Sequence, residues 1–190
     1  MTVSASRSIT VNSDNPTSPP ILDPDYIVPD DFSVVQLFEG TGGASNLQPG
    51  NVIMIRDGTY QVNQSLEWDH ASGTSSQPII VFSESRLGAK IRSTGGHSHA
   101  LIEIIRGVEH IWFFHLDVAY NNLDRAANET GPNPSISELP IKVCILTESK
   151  YCKFIGCYTH DGKGGFTIRS PDNTLGHGNE FWGSFTMNNG

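Results

Sequence analysis

The sequence predicts an all-β fold, a right-handed parallel β-helix (solenoid) in which short strands wind around one axis. From Leu47 onward, apolar runs of about four to nine residues alternate with turn residues, and no segment has the length and period of a helix. A pattern of alternating apolar residues recurs along the chain. The composition, with 17% charged residues and 19 glycines among 190 residues, also suits short strands and many turns.

The first elements precede this pattern. Residues 1–31 are polar and rich in Pro, Ser and Asp, and they are predicted to form an extended leader or strap with no core of its own. Residues 32–190 are predicted to form a single β-helix domain. Its opening segment, FSVVQLFEGTGGASNL at 32–47, is compatible with either a short strand or a capping helix.

The strand pattern begins at LQPGNVIMIRDGTYQV. A Pro-Gly turn leads into a β-branched run at 51–55, and an Asp-Gly turn follows at Asp57-Gly58. A Gly/Ser-rich turn then leads into a strand at 79–82. Further short strands are predicted at AKI (89–91), LIEII (101–105), HIWFFHLDV (110–118), KVCIL (142–146), CKFIGCYT (152–159), GFTI (165–168) and EFWGSFTM (180–187).

Two stretches near the end share one pattern of apolar and turn residues, which indicates a repeated structural unit. YCKFIGCYTHDG at 151–162 superposes on NEFWGSFTMNNG at 179–190 with an offset of 28 residues. This superposition places Phe154 on Trp182, Cys157 on Phe185, and Thr159 on Met187. An offset of 41 residues carries the pattern back to 110–121, and a polar, Pro-containing loop at about 123–140 absorbs the excess length.

A strand–turn–strand repeat of this size cannot bury its apolar side alone, so stacking of successive coils is expected. Cys157 and Phe185 are then expected in interior stacks. A jelly roll or sandwich is the rival, but it would need hairpin loops of two to five residues throughout. The repeat is still running at Gly190, so the chain is expected to be the N-terminal portion of a longer β-helix, truncated at its C-terminus.

Composition excludes several classes of function. The net charge of −8 argues against a nucleic-acid partner, which needs a basic surface. No apolar run reaches the roughly 20 residues of a membrane-spanning helix, and no signal peptide is visible at the start. The odd cysteine count predicts buried thiols. The sequence contains no Gly-x-Ser-x-Gly elbow, phosphate loop or HExxH zinc motif.

The quoted motifs resemble a known superfamily. LQPGNVIMIRDGTY followed by SGTSSQPIIVFSES is similar to the first coil of pectin-lyase-like β-helix proteins. HIWFFHLDVAYNN and CKFIGCYTHDG are similar to coils of polysaccharide lyases of family nine (pectate and related uronate lyases), and the first coil is also similar to family six (alginate lyase and chondroitinase). The resemblance covers roughly residues 47–190.

The resemblance implies β-elimination on an acidic (uronate) polysaccharide by a secreted or cell-surface protein. A base removes the C5 proton, and Ca²⁺ or an Arg/Lys side chain neutralises the neighbouring carboxylate. Family nine also calls for an Asp cluster and a basic Lys, which are not legible in residues 1–190, so an incomplete or inactive fragment is expected. The alternatives are a non-catalytic glycan-binding adhesin or tailspike-like protein, and a purely structural solenoid.

Candidate site residues lie in the most polar turn, His160-Asp161-Gly162-Lys163, and in the next connection. Asp161 and Asp172 are candidate Ca²⁺ ligands, Lys163 and Arg169 are candidate catalytic or carboxylate-binding cations, and His160 is a candidate substrate-binding residue. A solvated turn is the plain alternative.

Other candidates are aromatic or metal-binding. Trp68 and Tyr120 would stack on sugar rings if they are exposed, whereas core packing is expected for Trp112 and Trp182. His97 and His99 lie two residues apart on a predicted strand and could share a metal, although no third ligand is near. Asp124 and Arg125 could line a groove or form a surface ion pair.

Overall fold

The computed structural model describes residues 22–95, 99–121, 143–169 and 178–187. Within these ranges one short helix, α1 (Val34–Glu39), and a 3-10 turn (Gly42–Asn46) accompany strands that pair only in parallel. The predicted all-β class is therefore confirmed. None of the helical structure in these ranges is long and apolar enough to cross a membrane.

The strands form three sheets. Sheet A, with six strands in order, holds β1 (Tyr26–Val28), β2 (Val52–Ile55), β5 (Ile79–Ser83), β8 (Ile111–Phe114), β11 (Lys153–Ile155) and β14 (Glu180–Trp182). Sheet B holds β3 (Gly58–Val62), β6 (Ala89–Ser93), β9 (Asp117–Tyr120), β12 (Tyr158–His160) and β15 (Phe185–Met187). Sheet C holds β4 (Leu66–Trp68), β7 (Ala100–Ile104), β10 (Val143–Thr147) and β13 (Gly164–Ile168). From β2 onward the chain visits A, B and C in turn.

The sequence left a short strand or a capping helix open for residues 32–47, and the structure shows a helix there. Ser33 and Gln36 form a capping box, in which the Ser33 side chain accepts from the Gln36 N–H and the Gln36 side chain accepts from the Ser33 N–H. Gly40 ends the helix at a φ of 61°. The ring of Phe38 lies 5.8 Å from that of Trp68, so α1 packs against the interior.

A ladder of interior residues explains why the sheets hold together. Sheet A aligns five side chains across successive strands, of which the first four are buried and the last is 37% exposed: Ile53, Val81, Phe113, Phe154 and Phe181. The Phe113 and Phe154 rings stack at 5.4 Å, and the Phe154 and Phe181 rings stack at 5.1 Å. Each strand thus buries its apolar residue on that of the next strand, which no single repeat could do alone.

The 41-residue offset is correct, because Phe113 pairs with Phe154 and Val118 pairs with Thr159. The 28-residue offset is wrong by one position: Phe154 pairs with Phe181, and Tyr158 pairs with Phe185. Cys157 is buried as expected, but Phe185 points outward and is 57% exposed. Adjacent apolar residues in EFWGSF fit either register, so hydrophobicity alone could not choose between them.

The leader, the long loop and the HIWFFHLDV run were each predicted from the sequence. The strand β1 lies within the stretch predicted as a leader, and Val28 is fully buried. The long loop predicted at about 123–140 lies outside the described residues. The run HIWFFHLDV forms two strands, β8 and β9, because His115 adopts a φ of 56° and turns the chain from sheet A into sheet B.

The same corner recurs in the neighbouring connections from sheet A to sheet B, as a column of left-handed residues: Leu87, His115, Gly156 and Gly183. The N–H of Leu87 donates to the His115 carbonyl at 3.0 Å, and the N–H of His115 donates to the Ile155 carbonyl at 2.9 Å. These bonds satisfy backbone groups that a sharp bend would otherwise leave unpaired.

This column supplies a matched pair of substitutions. Gly156→Ala and Gly183→Ala both place a side chain at positive φ, which costs about 1–2 kcal/mol. A Cβ at Gly156 would also overlap the His115 ring, whereas no heavy atom of the described residues lies within 4 Å of a Cβ at Gly183. We expect Gly156→Ala to lower the free energy of unfolding in urea by at least about 1 kcal/mol more than Gly183→Ala. Equal losses would contradict this corner geometry.

Candidate functional site

The outer face of sheet B carries a cluster of charged side chains. Ile91, Val118 and Thr159 are buried toward the interior. Because side chains alternate along a strand, their neighbours point to the other side. Across β6, β9, β12 and β15, in that order, this outer face carries Lys90, Arg92, Asp117, Ala119, Tyr158, His160, Phe185 and Met187.

Asp117 lies at the centre of this cluster. Its carboxylate accepts from the Arg92 guanidinium at 2.6 Å and lies 3.0 Å from His160 Nε2. Arg92 also donates to the Asp117 backbone carbonyl at 3.0 Å. The other ring nitrogen of His160 lies 2.6 Å from the Asp161 carboxylate. We call Arg92, Asp117, His160 and Asp161 the Asp117 network. Its members lie on three neighbouring strands of sheet B, or directly after them.

A small residue makes room for this network. Ala119 pairs in register with Arg92 on one side and with His160 on the other. Its methyl group leaves space above the strand, and the Asp117 carboxylate, two residues earlier, reaches between the two neighbours. Ala119 is only 1% exposed, so a larger side chain there would compete with that carboxylate for the same space.

The network is largely withdrawn from solvent. The exposed fractions of the side chains are 13% for Arg92, 10% for Asp117, 18% for His160 and 24% for Asp161. Charge-assisted hydrogen bonds are stronger in such surroundings than in water. Both ring nitrogens of His160 face carboxylate oxygens, so the orientation of the imidazole is fixed from both sides. Imidazole and carboxylate groups are the side chains that most often act as general acids and bases.

The two predicted cationic residues, Lys163 and Arg169, lie in different parts of the structure. Lys163 is half-buried and lies two residues beyond Asp161, in the turn that also holds His160. Arg169 follows β13, and its Nε lies 3.3 Å from a Glu148 carboxylate oxygen. The five residues of that strand span about 17 Å, so Arg169 is not brought to the network.

The two residues predicted to stack on sugars lie in the interior. Trp68 is fully buried, and its indole N–H donates to the Ala71 carbonyl at 2.8 Å. Tyr120 is 4% exposed, and its hydroxyl lies 3.3 Å from the Val143 carbonyl oxygen. Neither position leaves a ring face open to a ligand.

The expected core packing of Trp182 is wrong, because the side chain is 61% exposed. It follows the inward Phe181 in β14 and therefore points away from the interior. Trp112 also lies on the outer side of sheet A, where it packs near Ile80. The Lys153 ammonium group lies 4.8 Å from its ring centroid.

The described residues do not test the predicted metal sites. Asp172, His97, Asp124 and Arg125 lie outside them, so of the two predicted Ca²⁺ ligands only Asp161 can be placed. The exposed His99 has Nδ1 at 3.8 Å from a Glu103 carboxylate oxygen. Across the described ranges, no three His, Cys, Asp or Glu side chains are grouped so that they could hold a metal ion. Calcium binding stays a prediction.

The three cysteines are free and buried, as predicted. Burial raises the pKa of Cys144 and of Cys157 to about 12. A thiol that stays protonated is a poor nucleophile, so these cysteines serve packing rather than chemistry.

No protein-family model matches this chain, and no curated protein or solved structure is significantly similar to it.

Sequence reasoning missed Arg92, Asp117 and Ala119. A signal was present, because the 41-residue offset already superposes Asp117 on Tyr158 and Ala119 on His160. The apolar residues that reveal the offset point inward, whereas the charged cluster lies at the outward positions between them.

Two other histidines predict how stability depends on pH. Burial lowers the pKa of His70 and of His115 below their ordinary value. Both ring nitrogens of His70, and Nδ1 of His115, are buried without a hydrogen-bond partner among the described residues. As the pH falls, these two histidines therefore bind protons more readily in the unfolded chain than in the native state.

We expect the free energy of unfolding to be highest above about pH 6.5 and to fall as the pH is lowered through that value. Urea unfolding of the wild type and of His115→Asn at several pH values checks this. Asn tolerates the positive φ at position 115, so the variant should fold and show a shallower slope. An unchanged slope would contradict the assignment to His115.

Proposed function

We propose that the chain winds as a right-handed parallel β-helix similar to pectin-lyase-like proteins, and that the outer face of sheet B acts on an acidic uronate polysaccharide. The observation that carries the proposal is the Asp117 network: an imidazole is fixed between two carboxylates, beside a turn that ends in Lys163. Proton-exchanging groups next to a cation are what β-elimination needs.

The chemistry assigns a role to each group. The Lys163 ammonium neutralises the sugar carboxylate and so acidifies the neighbouring C5–H. The Asp161 carboxylate, the most exposed member of the network, takes that proton, and the contact with His160 at 2.6 Å holds the carboxylate in position. The electron pair of the C5–H bond forms the C4–C5 double bond, and the C4–O bond to the departing sugar breaks. The leaving oxygen is reprotonated from the network or from water.

Arg92 and Asp117 act through His160. Asp117 fixes the imidazole orientation, and Arg92 holds Asp117 by two contacts, one to its side chain and one to its backbone carbonyl. Preorganised charges of this kind need little rearrangement during reaction. Arg92 and Asp117 are therefore positioning residues.

The test uses the full chain with polygalacturonate and with alginate, each with and without Ca²⁺, and follows the ultraviolet absorbance of the unsaturated product. We expect His160→Gln to lower the rate by on the order of 10²-fold. His99→Gln is the matched control, because His99 is exposed on the segment before β7 of sheet C, and it should keep the wild-type rate.

A second candidate function is favoured by the burial of the network. Exposed fractions of 10–24% leave little room for a reacting centre, which suits a non-catalytic glycan-binding protein. Binding of either polymer without the absorbance change would favour this second function. Absence of both signals would overturn both.

A further inference from the structure

An apolar surface adjoins the Asp117 network on the same outer face. Phe185 and Met187 of β15 are 57% and 55% exposed. They pair in register with Tyr158 and His160 of the neighbouring strand. The surface therefore continues the network by one strand, a spacing of about 4.8 Å.

Contacts join the two parts into one unit. The Tyr158 ring stacks on the His160 ring with centroids 4.5 Å apart and an angle of 24° between their planes. The Tyr158 hydroxyl lies 3.7 Å from the Met187 sulfur. A ligand that touches Phe185 and Tyr158 would thus also lie beside His160 and Asp161.

We propose that Phe185 and Tyr158 form a stacking subsite for a pyranose ring of the acidic polysaccharide, next to the ring held at His160 and Asp161. The inference rests on the proposed function and names a subsite for it. The apolar C–H face of the sugar packs on the aromatic rings, while its hydroxyl and carboxylate edges reach the charged groups. Ligand sites combine apolar area with a few convergent polar groups in this way.

The chemistry of the surroundings favours a sugar over a second protein chain. The Tyr158 ring stacks on His160, and Tyr158 pairs in register with Asp117, which in turn pairs with Lys90. The core of a protein–protein interface is depleted in such charges. A pyranose ring, in contrast, uses both kinds of group, because its C–H face packs on an aromatic ring and its polar groups bond to the neighbouring charged side chains.

Trp182 supplies a matched control. It is exposed to a similar degree, at 61%, but it lies on sheet A, where its indole N–H donates to Glu180 at 2.7 Å. It is close in sequence to Phe185 and lies on the outer face of a different sheet.

The experiment measures the affinity of the full chain for galacturonate and for oligogalacturonides of increasing length by calorimetry. Phe185→Ala should weaken binding of the longer oligomers about tenfold, in line with the loss of one buried ring contact. It should leave the affinity for the monomer little changed, and Trp182→Ala should leave both unchanged. Phe185→Leu, which keeps apolar area without an aromatic face, should fall between Phe185→Ala and the wild type.

The outcomes separate this inference from the proposed function. If the wild type binds oligomers and Phe185→Ala binds them equally well, the stacking subsite is wrong while the proposed face can stand. If Phe185→Ala weakens binding but the wild type forms no unsaturated product, the subsite stands and β-elimination is wrong. If the wild type binds no oligomer, the subsite is overturned together with its ligand class.

Discussion

Phe113→Ala is expected to lower the free energy of unfolding by about 3–5 kcal/mol, the usual cost of truncating a buried aromatic residue. Phe113 is 2% exposed. Its ring stacks on Phe154 at 5.4 Å and meets Trp68 edge-on at 6.0 Å. It therefore links successive strands of sheet A with the strand β4 of sheet C, and the cavity left by alanine would disturb all of them.

The adjacent residue is the matched control. Phe114 lies on the outer side of the same strand and is only partly buried, so Phe114→Ala should cost clearly less, about 1–2 kcal/mol. Urea denaturation of both variants with a common m-value gives the comparison. A larger loss for Phe114→Ala than for Phe113→Ala would mean that the strand presents its opposite face to the core.

Asp117→Leu is expected to lower the free energy of unfolding by about 3–5 kcal/mol, because it leaves the largely buried Arg92 guanidinium without its carboxylate partner. The substitution removes the carboxylate partner at 2.6 Å from Arg92 and the one at 3.0 Å from His160. The same variant should lose the polysaccharide-dependent signal, since His160 would no longer be held in place.

The double variant Arg92→Met, Asp117→Leu tests the cause of that loss. Replacing both charges with apolar side chains removes the unpaired guanidinium, so the double variant should recover a large part of the stability lost by Asp117→Leu. The comparison is made by chemical unfolding at fixed ionic strength. Losses that simply add would show that Arg92 and Asp117 do not interact energetically.

Much of the strand pattern was predictable because it follows from local chemistry. Apolar runs bounded by Gly, Pro and Asp located β2, β5 and β10 to within a residue or two. The 41-residue offset was readable because it matches Phe113 with Phe154, whose flanking residues are distinct. The 28-residue offset failed because Phe181 and Trp182 are both aromatic, and only the true register shows which one faces the interior.

The charged cluster was harder to predict for a different physical reason. Asp117 and His160 are 43 residues apart, and Arg92 and Asp117 are 25 residues apart. No local spacing rule links residues at those distances. Only the lateral register of three strands places Ala119 between Arg92 and His160, and a single-residue slip would send the set to the other face. His160 and Asp161 were found because they are adjacent in a polar turn.

Amide chemical-shift mapping of the isotope-labelled chain, titrated with an oligogalacturonide, tests most directly whether the outer face of sheet B binds the polysaccharide, as we propose. We expect the largest shifts at Tyr158, His160, Asp161 and Phe185. Shifts that cluster instead around Trp112 and Trp182 on sheet A, or no shifts at saturating oligomer, would contradict it.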